Sequence, residues 1–195
     1  MARSLFDTLE YEARRRNLDM RSRAARNWFK GRVQKLGRID RRDLLKDPNL
    51  SERQAVGPGH MFMYFYDPKT KEQLPYYDKF PLTIIVDTAP GGFYGLNLHY
   101  LAPGTRAQFL DALGGTMSDT RFDERTKFKL SYDMLKAASR YKEFKPCFKR
   151  YLTSHVESQF SKVDAKDWNI AIFLPTEDFS KKSKNYVWGK SRGMI

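Results

Sequence analysis

Apolar residues return at helical spacing along the opening segment of the chain. Leu5, Phe6, Leu9 and Tyr11 form a short stripe, and Ala24, Ala25, Trp28, Phe29 and Val33 form a second, with Arg and Lys between them. Repeats of three and four residues put such side chains on one helix face. The pattern predicts amphipathic helices over residues 1–47. They either pack on their own domain or serve as a basic arm lying on a neighbouring subunit or on nucleic acid. Asp47-Pro48-Asn49 should end the region, because the residue before proline disfavours helix.

From Gly57-Pro58-Gly59 onward the pattern changes to that of strands. Met61 to Tyr66 is an unbroken apolar and aromatic run, closed by the turn signal Asp67-Pro68-Lys69. Leu82–Asp87 and Phe93–Leu101 flank Pro90-Gly91-Gly92 and read as a hairpin. In the second of these, Tyr94, Leu96, Leu98 and Tyr100 alternate with Phe93, Gly95, Asn97 and His99, giving one apolar and one mixed face.

Pro103-Gly104 opens a helix that Gly114-Gly115 should cap, and Asp123-Glu124 start another that runs to about Tyr141. Phe144–Tyr151 reads as a short helix with Pro146 in its first turn, and Trp168–Pro175 as a strand completing the sheet. The expected fold is α+β, a small and mainly antiparallel sheet flanked by helices. The division is a basic helical arm over 1–50, a core domain over 51–179 and a basic C-terminal tail over 180–195, helical or extended.

Composition supports a folded core, since 41% of residues are hydrophobic and 14% aromatic. Charge adds more to the picture. Lys and Arg number 36 against 23 Asp and Glu, a formal +13, and the excess is uneven. Residues 1–50 carry a net +7 and residues 51–100 a net −1, with +5 and +2 in the two stretches that follow. Basic flanks around a neutral centre point to polyanionic or acidic partners. The apolar runs are too short to span a bilayer, no export signal is readable, and a single cysteine, Cys147, permits no intrachain disulfide.

Motifs for catalysis are sparse. His60, His99 and His155 are widely spaced and lack the pattern of a zinc site. The glycine pairs match neither a phosphate loop nor a dinucleotide fingerprint, and Cys147 has apolar neighbours that suggest a buried thiol. Asp67, Asp78 and Asp87 stand at strand ends and could in principle share a divalent ion as in a nuclease, although each also fits a turn. No cofactor, metal ligand or catalytic residue is assigned, and the chain is expected not to be an enzyme.

The better functional material is basic residues interleaved with aromatics. Arg14, Arg15, Arg16, Arg21 and Arg23 with Trp28 form one candidate contact surface. Arginine grips phosphate or carboxylate through its forked guanidinium. Tyr76, Tyr77 and Phe80, in a proline-bracketed loop that makes a poor strand, form a second, with core packing as the alternative. Trp188, in the tail, is a third.

Several stretches together resemble a known family. Asp67–Lys71, Leu74–Leu82, Gly92–Leu101, Lys149–Leu152 with Ser154–Val156, Trp168–Glu177 and Val187-Trp188 are similar to a virion or tail-assembly protein of large contractile-tailed bacteriophages. The likeness runs from about Trp28 to Trp188. It implies a component of the virion, assembled in the host cytoplasm in several copies. Its partners would be other phage structural proteins, with DNA a further partner through the basic N-terminal region and no membrane. The expectation is a structural adaptor of the tail or baseplate. The alternative is a DNA-binding head-completion or genome-end protein, and a metal-dependent nuclease ranks behind both.

Overall fold

In the computed structural model, which describes residues 4–20, 22–53, 56–117, 133 and 145–193, the period-two segments pair and the helical stripes cover them. The strands are β1 (Leu50–Arg53), β2 (Met61–Met63), β3 (Tyr77–Asp78), β4 (Leu82–Ala89), β5 (Gly92–Asn97), β6 (Phe148–Leu152), β7 (Phe160–Val163) and β8 (Phe179–Ser180). Six of them form a sheet in the order β1-β7-β2-β4-β5-β6, antiparallel throughout. A two-stranded ribbon pairs β3 with β8. The helices are α1 (Leu5–Arg14), α2 (Arg23–Val33), α3 (Arg41–Leu44), α4 (Pro103–Met117), α5 (Trp168–Ala171) and α6 (Lys184–Gly193). The fold class is α+β.

Register follows the alternation. Met61 pairs with both Ile84 and Val163, and Met63 with Leu82, so these side chains share one face. That face packs against Phe6, Leu9, Ala25, Phe29 and Ile170 in one apolar cluster. The opposite face is aromatic: Phe62, Tyr64, Tyr66, Phe93, Tyr151 and Phe160 are buried together with Ile85. Tyr64 lies 5.1 to 6.4 Å from four of these rings, in the edge-on geometry that aromatic quadrupoles favour. The hairpin joining β4 to β5 turns at Gly91, whose φ is +68°. At Gly92 a Cβ would stand 1.8 Å from the Tyr151 carbonyl oxygen, so glycine is what lets β6 approach.

The N-terminal helices pack on their own domain. Ser4 and Ser22 cap α1 and α2 by accepting from the amides of Asp7 and Ala25. Phe6, Leu9 and Ala13 of α1 and Ala25, Phe29 and Val33 of α2 are turned inward, whereas Tyr11 and Ala24 are exposed. Four sequence expectations are corrected. The strand expected over Phe93–Leu101 ends at Asn97, whose side chain accepts from the His99 amide and starts a 3-10 turn over Leu98–Tyr100. Trp168–Pro175 is the helical turn α5 with buried residues after it, because a short unbroken apolar run carries no period to separate strand from buried helix. Lys145–Cys147 is a turn leading into strand β6, where a helix was expected over Phe144–Tyr151. Helix α4 continues through Gly114-Gly115 to Met117, since glycine weakens a helix without ending it. The helix expected over 123–141 lies outside the described residues, Asp133 excepted.

One buried carboxylate joins α1 to the segment before α5. Asp167 has no exposed surface, and Lys166 reaches across to Glu10 of α1 and lies 3.3 Å from Asp167. Burial, together with the Glu10 carboxylate beside it, pushes Asp167 up to about 7. Burial would raise Glu10 as well, but bonding to Asp167 and Lys166 outweighs it and holds Glu10 below its ordinary value. An acid whose folded pKa is raised takes up a proton more readily than in the unfolded chain. Asp167 therefore lowers stability progressively from about pH 4 to about pH 7. The opposite contribution of Glu10 is lost only in more acidic solution. Asp167→Asn should thus gain on the wild type by several degrees in Tm between pH 5 and pH 8. Parallel melting curves across that range would count against it.

Candidate nucleic-acid interface

Helix α6 follows from its capping and its spacing. The Ser183 hydroxyl accepts from the Tyr186 amide at 3.3 Å and its carbonyl from the Val187 amide at 3.1 Å, which starts the helix. Val187 is fully buried, Ser191 donates to the Tyr100 carbonyl at 2.8 Å, and the Trp188 indole donates to the His99 carbonyl at 2.9 Å. With 187, 188 and 191 turned inward, residues 186 and 190, spaced by four, line the outer face, and Lys182 stands just before the helix. Tyr186 is exposed there. The Lys182 and Lys190 ammonium groups lie 5.0 and 5.9 Å from its ring centroid, a cation–π arrangement on both sides in sequence. Lys184 stands 5.4 Å from the Trp188 ring.

The proline-bracketed loop meets this helix. Tyr76 is 6.2 Å from Tyr186 and 6.0 Å from Tyr100, and Phe179 of β8 lies 5.1 Å from Tyr100. Tyr77 pairs with Ser180 in the ribbon. Phe80 is fully buried and packs on Phe65, so its ring belongs to the core in this chain. Lys181, at φ +68°, donates to the carbonyls of Lys71, Glu72 and Leu74 at 2.7 to 3.1 Å and so fixes the loop against the start of the tail. Of the second and third candidate surfaces, Tyr76 therefore meets Tyr186, on the helix whose inner side carries Trp188. The 180–195 tail contributes a helix.

Beneath this surface lies a buried polar network. Arg106 has no exposed surface and donates to the carbonyls of Leu101 and Ile172 at 2.8 and 2.9 Å and to Glu177 at 2.6 Å. Its guanidinium also lies 5.6 Å from the Trp188 ring. Burial would raise Glu177, but Arg106 and then His99 hold it below its ordinary value. Next to it, His99 Nδ1 is 2.8 Å from the buried Asp78 carboxylate and Nε2 is 3.2 Å from the Thr176 hydroxyl. Asp78 also accepts from Asn97 at 3.0 Å and from the Phe80 amide at 3.0 Å, and these partners with His99 overcome burial to keep it ionised at lower pH than usual. An Asp–His–Thr chain invites comparison with nucleophilic catalysis, but Thr176, His99 and Asp78 are 0 to 3% exposed and present nothing to a substrate. They anchor the ribbon to the sheet.

The arginine-rich N-terminal region separates into two groups. Arg26 bonds Asn169 and Asp111, Arg32 grips Glu12 with two bonds of 2.6 and 2.9 Å, and Arg41 donates to the carbonyls of Thr176 and Glu177. These three are part of the fold. Arg15 and Arg16 are exposed, make no ion pair among the described residues, and lie 5.9 Å from the rings of Tyr11 and Trp28. Arg14 is 3.5 Å from Glu10 and Arg23 is 3.9 Å from Asp111, both largely exposed. Arg21 lies outside the described residues. A shallow open depression of about 550 Å³, lined by Arg38, Arg42 and Phe65 among others, adds two more cations. Arg42 sits 5.7 Å over the Phe65 ring.

The three strand-end carboxylates have separate surroundings. Asp67 pairs with Lys71 at 2.8 Å, Asp87 accepts from the Thr88 amide at 2.9 Å, and Asp78 is in the buried network. Among the described residues no group of three or more His, Cys, Asp or Glu is placed to hold a metal ion. Burial pushes the Cys147 thiol up to about 12, which leaves it protonated. No helix among the described residues is long and apolar enough to cross a membrane.

A family model described as phage T4 terminal DNA protecting protein matches residues 9–192. The chain belongs to this family. No curated protein and no solved structure matches it. Membership makes it a phage protein, and the family description names DNA termini, not a tail or baseplate. The adaptor expectation thus loses to the genome-end alternative, while the phage origin implied by the resemblance stands. Tyr186, Lys182 and Lys190 were missed as individual residues. The signal for Tyr186 and Lys190 was their spacing of four, legible only if the tail is taken as a helix, while Lys182 lies before that helix.

The network predicts its own weak point. Arg106→Met keeps much of the volume but leaves the buried Glu177 with only the half-exposed Lys184, 3.7 Å away, as counter-charge, and should cost about 3 kcal/mol in urea unfolding. A loss below about 1 kcal/mol would mean the pair does not hold these segments together.

Proposed function

We propose that this chain is a virion protein that binds the termini of the linear phage genome and shields them from nucleases, by contact and without catalysis. The observation that carries the reading is the match to the terminal DNA protecting family across residues 9–192. The chemistry of the surface supports it. The formal charge is +13, and Arg15, Arg16, Arg38, Arg42, Lys182 and Lys190 are exposed cations without ion pairs among the described residues. Each phosphate that such a group neutralises releases condensed counterions, so affinity arises largely from the solvent and falls steeply with salt. Aromatic rings beside these cations offer a second kind of contact that backbone-only binding does not use.

In this reading the acidic residues of the N-terminal region have an intramolecular role. Glu10 and Glu12 tie Lys166 and Arg32 into the fold, as Asp111 of α4 does Arg26, and leave the outer cations free for a polyanion.

The test is an exonuclease challenge of linear duplex DNA preincubated with the protein across a salt series. Protection should be strong at low salt and decline as salt rises. Arg15→Ala with Arg16→Ala should weaken binding and reduce the slope of log K against log salt by about 0.9 for each phosphate no longer neutralised. Digestion of the linear DNA at its unprotected rate under saturating protein would refute the proposal.

A further inference from the structure

Two large apolar side chains stand out as exposed among the described residues, Tyr11 and Tyr186, each 43% accessible. Tyr186 is the more informative. Its ring is the outermost of an aromatic series that runs inward through Tyr76 to Tyr100 and Phe179, with centroid separations of 6.2, 6.0 and 5.1 Å. Behind it, helix α6 is fixed by the Trp188 and Ser191 hydrogen bonds to the backbone at His99 and Tyr100. The ring is therefore held on a rigid support while one part of it meets solvent. Lys182, just before the helix, and Lys190, one turn after the ring, approach it without ion pairs among the described residues.

We infer that Tyr186 is a stacking platform for an unpaired base at a DNA terminus, with Lys182 and Lys190 engaging the phosphates on either side of that base. The inference rests on the DNA-terminus reading above and specifies what the site recognises. In the interior of a duplex each base is stacked between neighbours and offers only its edges and the backbone. A free base face exists only at an end or on a single strand. An exposed tyrosine backed by other rings takes up such a face, and stacking is tolerant of sequence because every base has one. Lysine suits the flanking role, since its ammonium sits on a flexible stem and can leave the ring for a phosphate once a base arrives. Arginines at Arg15, Arg16 and Arg42 would bind backbone anywhere along a duplex. The α6 platform supplies the preference for an end.

The experiment uses the full chain and three DNAs of equal length: a duplex closed by hairpins at both ends, a blunt duplex, and a duplex with a short single-stranded overhang carrying 2-aminopurine. The wild type should bind the overhang DNA more tightly than the closed DNA and should change the fluorescence of the reporter base. Tyr186→Ala should weaken overhang binding by roughly five- to a hundredfold, abolish the fluorescence change and leave closed-duplex affinity nearly unchanged. Tyr186→Phe should retain wild-type behaviour, because stacking needs the ring and not the hydroxyl. Lys182→Ala with Lys190→Ala should reduce the salt slope for the overhang by about 0.7 for each phosphate no longer neutralised. Since Tyr186 is on the surface, an unchanged melting temperature confirms that the variants fold. Salt-sensitive binding of all three DNAs that Tyr186→Ala leaves unaltered would overturn this inference alone. Absence of any DNA binding by the wild type would overturn it together with the reading it rests on.

Discussion

Arg106 is the constraint around which the C-terminal half of the molecule is arranged. Taking a guanidinium out of water carries a large desolvation cost, which is offset only if nearly every donor finds an acceptor and the charge finds a counter-charge. Here the acceptors are the carbonyls of Leu101 and Ile172 and the carboxylate of Glu177. They come from the end of the hairpin sheet, from the segment after α5 and from the residues leading to β8. One side chain on the first turn of α4 thereby sets the positions of three separate pieces of chain. The neighbouring Asp78–His99–Thr176 series repeats the logic for the ribbon, where buried polar groups are retained because each is satisfied.

What rests on this interior is a surface of a different kind. Trp188 is held by the carbonyl of His99 and lies against Arg106, so α6 is attached directly to the buried network. Tyr186 and Lys190 are then on the outer face of a helix whose inner face is fixed, with Lys182 just before it. In the N-terminal region the same division is made with arginine. Arg26, Arg32 and Arg41 are committed to the fold, while Arg15, Arg16 and Arg42 lie beside aromatic rings at the surface. The net charge of +13 therefore understates how selectively the free cations are placed.

A protein that protects DNA ends has to do two things, hold a polyanion and distinguish its terminus from its length. Phosphate contacts give the first with little discrimination, since they position without specifying. Aromatic contacts with a base face give the second, because that face is covered inside a duplex. The coexistence of both kinds of group on this surface is what connects the family's description to the chemistry of the chain.

Much of this was legible in the residues themselves. The alternation from Phe93, the turn-bounded apolar runs from Met61 and Leu82 and the helical stripes over residues 5–33 made the α+β class legible. Cys147 was readable as a buried thiol from its neighbours. The segments misread were those without a period. Trp168–Pro175 is apolar all round, and Phe148–Leu152 becomes a strand only because Gly92 lets it close on β5. Likewise no local feature shows which arginines are engaged internally, since Arg26 and Arg41 meet partners more than a hundred positions away. Local pattern determined the elements. Which charges remained free, and that Tyr76 and Tyr186 meet, was decided by tertiary packing, because burial and pairing depend on neighbours brought together only when the chain folds.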